Sequence, residues 1–185
     1  MRVEPLAPPY EPAVADMLGR MMPPGVDPIG LFRTFAKNEP MTRALMGWGG
    51  YELSADLSLT LRDREIVIDR ICVRCSCEYE WGVHVVFFAE AAGLDVEQIR
   101  SLTHGDASDP CWRTERDRLL IEAADALHDS STWSDGLYQR LAAEFTEAEL
   151  LDLLLLSGWY HAISFAANGA GVALEPGSPV FADYR

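Results

Sequence analysis

Positive charge is what this chain has least of. Fifteen Lys and Arg face 29 Asp and Glu, a formal net charge of −14, and Lys37 is the single lysine. Such an acidic surface repels polyanions, which argues against nucleic acid or an anionic membrane as a partner. Any anionic small molecule must find a local positive site against that field. The start, from Met1 to Pro9, lacks both an apolar h-region and a small-residue cleavage site, so no secretory signal is expected. Cysteine is sparse and badly distributed for a secreted scaffold: of Cys72, Cys75, Cys77 and Cys111, three fall within six residues. A reduced, cytoplasmic setting is expected. No stretch alternates with period two, which leaves β-strands without a signal.

The residues present suit one helical domain. A chain of 185 residues with 49% apolar content can bury a real core. A single all-α domain spanning 1–185 is expected, with short helices in 10–38 and an irregular tail over 172–185. Helices are expected from Glu11 to Met22, from an Asp27 cap with Pro28 at the first position toward Asn38, and from Met41 to a stop at Gly49-Gly50. Thr60 with Asp63, and Thr146 with Glu149, form capping boxes, while Thr114, Asp95 and Ser134 begin further helices. Gly93 supplies a left-handed stop. Leu153 to Leu174 holds no Asp, Glu, Lys or Arg. Its Ser157, His161, Ser164 and Asn168, with acidic flanks, favour a buried central helix over a membrane span.

Chemistry concentrates between residues 65 and 84. On a helix, Cys77, Glu80 and His84 share one stripe about 60° wide, because offsets of three and four residues stack on one face. A thiol, a carboxylate and an imidazole together are ingredients of proton transfer near neutral pH. Glu65 would lie about 22 Å from Glu80 along one straight helix. Glu65 can therefore join the stripe only if the helix breaks near Arg74–Ser76, with Ser76 as the new N-cap, or if it reaches a site made with another chain. Read blandly, Glu80 and His84 are a solvated helix pair worth a few tenths of a kcal/mol.

Glu65, Cys77, Glu80 and His84 in this register resemble the motif of the carboxymuconolactone decarboxylase and alkylhydroperoxidase D family. Arg-Asp-Arg-Glu-Ile-Val-Ile, Glu-Tyr-Glu-Trp-Gly-Val-His and Gly-Trp-Tyr-His look like its decarboxylase-like branch, and the likeness covers about residues 40–175. The resemblance implies an all-α, alkylhydroperoxidase D-like bundle, assembled as a homo-oligomer, a trimer or hexamer, with sites near subunit contacts. In the peroxidase branch a Cys-x-x-Cys pair precedes the histidine. Here Glu80 stands at the second thiol position, so no disulfide can join positions 77 and 80. The Glu80/His84 pair matches the decarboxylase branch.

Three functions follow. The leading one is cofactor-free acid–base catalysis, decarboxylation or double-bond migration, on a small enolisable acid or lactone. Glu65 and His84 would carry protons, Glu80 would orient His84, and Cys77 would line the pocket. The second is a thiol-dependent, peroxiredoxin-type peroxidase using Cys77, resolved by Cys75 or an external thiol. The third is a non-catalytic oligomeric protein that binds a small molecule. Tyr79, Trp81 and His161 are candidate substrate contacts, although aromatic packing and a hydrogen-bonded core histidine are the plainer readings. Arg62, Arg70 and Arg74 read as surface pairs, one of them available to a substrate carboxylate. No cofactor or metal is expected, because a zinc site from Cys75, Cys77 and His84 lacks a fourth ligand.

Overall fold

The computed structural model describes residues 2–185, and among these it is all-helical. Helix α1 spans Pro12–Arg20, α2 Gly30–Phe35, α3 Glu39–Glu52, α4 Leu61–Arg74 and α5 Glu78–Phe88. Then come α6 Val96–His104, α7 Glu115–Ser130, α8 Asp135–Glu144 and α9 Glu147–Ala170. α4 is the axis of the bundle and packs chiefly on α7, α9 and α5. Every residue from Asp63 to Cys72 is buried, which gives α4 apolar or paired neighbours on all sides.

Local chemistry starts most of these helices where expected. Thr60 and Asp63 cap each other's orphan N–H groups at the start of α4, and Thr146 and Glu149 do so for α9. Asp95 forms a third such box with Gln98, while Thr114 and Ser134 cap α7 and α8. Gly93 adopts φ +65° and closes the turn after α5, with the Leu94 N–H donating to the Ala89 carbonyl at 2.9 Å.

Two helices depart from expectation for tertiary reasons. α2 begins at Gly30, not after an Asp27 cap: its first N–H groups donate to Glu175 Oε1 at 2.5 Å and to the Tyr79 hydroxyl at 2.9 Å. Distant side chains thus replace the local cap. α3 opens on an Asn38 cap with Pro40 in its first turn and runs through Gly49-Gly50. Gly49 is there for closeness rather than termination, since a Cβ at that position would come within 2.7 Å of the Trp159 ring.

The break in the 65–92 helical stretch falls between Arg74 and Glu78. Ser76 takes φ 52°, and the Cys77 N–H reaches back to the Cys72 carbonyl at 2.8 Å, the six-to-one bond of a Schellman stop. The N-cap of α5 is therefore Cys77, not Ser76. α4 and α5 are further tied to their surroundings by ion pairs. Arg62, Arg70 and Arg74 pair with Asp117, Asp125 and Asp129 along α7, and all three are occupied in this ladder.

α9 is long and apolar enough to cross a membrane by length and composition, but 56% of its most apolar window is buried inside the bundle. Its Asp152 accepts from Ser58 and Tyr51. The tail is irregular apart from a 3₁₀ turn at Phe181–Tyr184. That turn covers Trp81 through Phe181 and Tyr184, with centroids 5.0 and 5.5 Å away.

Arg116 joins three helix starts, donating to both Asp63 oxygens (3.0 and 2.9 Å) and to Glu149 at 2.5 Å. Removing it leaves the buried Asp63 carboxylate with the Thr60 N–H alone. Arg116→Ala should lower unfolding free energy by roughly 2–4 kcal/mol in urea titration, against under about 1 kcal/mol for Arg20→Ala, whose partner is exposed.

Candidate active site

Reversal of the chain at Ser76 lays α5 beside α4 and brings Glu65 to His84 within one chain. Glu65 Oε2 accepts from His84 Nδ1 at 2.7 Å. Its other oxygen accepts from Arg64, Nε at 2.7 Å and Nη2 at 2.6 Å. Both Glu65 oxygens are thus engaged, and the residue is 1% exposed. On the other side of the imidazole, Nε2 lies 3.1 Å from the Tyr160 hydroxyl and 3.6 Å from Glu80 Oε1. Glu80 Oε2 is buried and has no partner. Glu80 therefore has a free oxygen, and Glu65 is held on both sides.

Burial opposes charge on the His84 ring, but Glu65, by Coulomb attraction and hydrogen bonding, and Glu80 outweigh it and push the His84 pKa up to about 10. At neutral pH the ring is an imidazolium, and its Nε2–H points at Tyr160 and Glu80. Asp69, one turn beyond Glu65, has both oxygens buried without partners. Burial, reinforced by Glu65, drives its pKa well above the usual carboxylate range, so it is held as the neutral acid. Burial likewise holds Tyr160 as the phenol.

The thiols stand apart from this proton chemistry. Burial raises the Cys77 pKa to about 11, against the help of the Glu80 N–H, and raises Cys72 and Cys75 as well. All three are thiols at pH 7, which is the unreactive form. Cys77 is fully buried at the start of α5, below Glu80.

Of the expected substrate contacts, none reaches the His84 ring by hydrogen bond. The Tyr79 hydroxyl donates to Glu175 and accepts from Leu31, so it locks α2 to α5. Trp81 is fully buried under the tail. His161 faces His128 instead. Arg64, Asp69 and Tyr160 are the site residues that spacing missed. Asp69 had a signal, since it lies four residues after Glu65 on the same face. Tyr160 is next to His161, but successive helical residues diverge by about 100° and the two enter different clusters.

The site is closed: His84 is 3% exposed. Half-buried Phe88 lies against it, centroids 5.1 Å apart, and beneath the Arg64 guanidinium at 5.0 Å. Two surface clefts, of about 630 and 490 Å³, are lined by Arg62, Gln98 and Asp117 and by His128, His161 and Phe165. Neither includes Glu65, Glu80 or His84.

The match to known families falls on this region. The model of the Carboxymuconolactone decarboxylase family matches residues 39–126, the segment that supplies Glu65, Glu80 and His84. The fold is similar to a protein of unknown function from Agrobacterium tumefaciens, for which the role of antioxidant defence protein AhpD has been suggested: 20% identity, TM-score 0.68, 76% of this chain and 94% of that one. It is also similar to an uncharacterised peroxidase-related protein from Silicibacter sp. TM1040: 15% identity, TM-score 0.79, 95% and 93% covered. At these identities the two structures establish the alkylhydroperoxidase D-like helical fold. No curated protein matches the chain.

The raised His84 pKa makes a signed prediction. A histidine at about 10 when folded and 6.5 when unfolded stabilises the protein fully below pH 6.5 and loses that contribution as pH rises through 10. The melting-temperature gap between the wild type and His84→Gln should be widest at pH 6 and shrink toward pH 10. ¹⁵N ring shifts should show doubly protonated His84 at pH 8; a neutral ring there refutes the assignment.

Proposed function

We propose that the protein is a cofactor-free acid–base enzyme acting on a small enolisable acid or lactone. The observation that carries this reading is the enclosed His84 imidazolium, gripped at Nδ1 by Glu65 and facing, at Nε2, a carboxylate with an unused oxygen. In this scheme Glu80 takes a proton alpha to a carbonyl: the C–H bond breaks and its electron pair moves into the carbonyl as an enolate. His84 gives its Nε2 proton to the oxygen, or to the far carbon when a double bond migrates. In the decarboxylating variant the C–C bond breaks, carbon dioxide leaves, and the electron pair left on carbon receives the His84 proton. Glu65 is then a positioning residue that keeps the ring charged and oriented, and Tyr160 a second donor at the reacting oxygen.

The thiol-peroxidase alternative is supported by the peroxidase-related name of one structural neighbour. Against it stand the protonated thiols and the absence of a second cysteine at position 80. A reduced cytoplasmic setting belongs to the acid–base reading and is supported by four free cysteines. The same reading takes a homo-oligomer of this chain, for which the exposed apolar side chains Leu151, Leu155 and Phe165 on α9 give support. Access to His84 then requires Phe88 to swing aside, since its ring is the half-exposed group against the imidazole.

The test is proton washout in deuterated buffer, followed by NMR over a panel of unsaturated lactones and β-keto acids, with carbon dioxide release measured in parallel. On an active compound, His84→Gln and Glu80→Gln should each lower kcat by about 10²–10⁴-fold, the range of a lost general acid or base. Cys77→Ser should stay within about threefold of wild type. The reverse pattern, peroxide consumption that vanishes in Cys77→Ser and survives Glu80→Gln, would give the chemistry to the thiol.

A further inference from the structure

Away from the His84 cluster, three metal-ligating side chains from three helices converge. Cys75 is the C-cap of α4, His128 sits in the last turn of α7, and His161 lies mid-way along α9. Cys75 Sγ, His128 Nδ1 and His161 Nε2 all lie within 4.8 Å of one another. The sulfur is 3.8 Å from His128 Nδ1, and the two ring nitrogens are 3.0 Å apart. Tetrahedral zinc, with bonds of about 2.3 Å to sulfur and 2.0–2.1 Å to nitrogen, would set those separations at about 3.5 and 3.3 Å. Two sides of the triangle are thus within a few tenths of an ångström of coordination distances, and the third, from sulfur to His161 Nε2, is under 4.8 Å.

The His161 tautomer is already arranged for it. His161 Nδ1–H donates to the Ser157 carbonyl at 2.8 Å, which leaves Nε2 with its lone pair. Without a metal that lone pair accepts the His128 Nδ1 proton; a cation takes that place when His128 shifts to its Nε2–H tautomer. Arg74, the residue before Cys75, is committed to Asp129 and Asp125.

We propose that Cys75, His128 and His161 form a three-ligand site for a borderline transition-metal ion of the zinc class. One thiolate and two imidazoles suit Zn²⁺ or Co²⁺ and discriminate against Mg²⁺ and Ca²⁺, which take oxygen. The fourth position faces the cleft of about 490 Å³ whose walls include His128, His161, Leu154 and Phe165. Three protein ligands and an open cleft are the pattern of a site that holds water or the oxygen of a small ligand. Binding releases one proton, that of the Cys75 thiol, while His128 keeps its proton by moving it from Nδ1 to Nε2.

The test uses the full chain, stripped with chelator and titrated with Co²⁺. One equivalent should bind, with a thiolate-to-cobalt charge-transfer band and tetrahedral d–d absorption, and Zn²⁺ should displace it. Cys75→Ser should abolish the charge-transfer band, and His161→Gln should weaken binding by more than about 100-fold, since even outer-shell changes cost 10–100-fold. Cys111→Ser should keep both the band and the affinity. Circular dichroism melting of the stripped variants separates lost ligation from lost fold. A band that survives Cys75→Ser, or no stoichiometric cobalt binding by the folded wild type, overturns the site.

Discussion

The proton chemistry proposed for this protein depends on a hydrogen bond between two helices that a single reversal of the chain sets side by side. Glu65 and His84 are nineteen residues apart, yet Oε2 and Nδ1 meet at 2.7 Å in the interior. The contact exists because α4 stops at Arg74, Ser76 accepts a left-handed φ and Cys77 restarts the helix. A non-glycine residue at φ 52° costs on the order of 1 kcal/mol or more. The bundle tolerates it because the turn is anchored on both sides: Cys77 N–H donates to Cys72, and the Asn168 amide of α9 donates to the Cys75 carbonyl at 2.9 Å.

Burying Arg64, Glu65, Asp69, Glu80 and His84 in one core is costly, since each charge surrenders several kcal/mol of hydration. Arg64 and His84 return part of this by sharing Glu65. Asp69 avoids the charge altogether by holding its proton. Three buried carboxylate oxygens, two on Asp69 and one on Glu80, still lack partners. A core selected for stability alone would be better filled with leucine. Retained polar groups with unused oxygens are what a proton-transfer site needs, because a fully satisfied carboxylate has no capacity left for substrate.

The fold was legible wherever the signal was local. Thr60/Asp63 and Thr146/Glu149 are side chains answering their own helix's N–H groups, and four-residue spacing needs no tertiary knowledge. It failed where a distant group decided. Nothing near Asp27 reveals that Glu175 and Tyr79 will cap α2, and nothing in Gly49-Gly50 reveals a Trp159 ring waiting against α3. At the site, the register of Glu65, Glu80 and His84 was readable, whereas the partition of roles was not. That partition rests on Arg64 claiming a Glu65 oxygen, which spacing does not express.

Tyr160 and His161 carry the sharpest separation in the molecule. Adjacent on α9, they project about 100° apart, one into the His84 core and one toward Cys75 and His128. One helix thereby contributes to two chemically distinct clusters. The core cluster is sealed, rich in carboxylate and built to hold a proton on an imidazole. The other borders a cleft and sets two imidazoles beside a thiol. Serving both from one helix requires rigidity, because a register slip of one residue would carry either Tyr160 or His161 into the other's cluster. The buried length of α9, its capping box at Thr146 and its left-handed stop at Gly171 supply that rigidity from end to end.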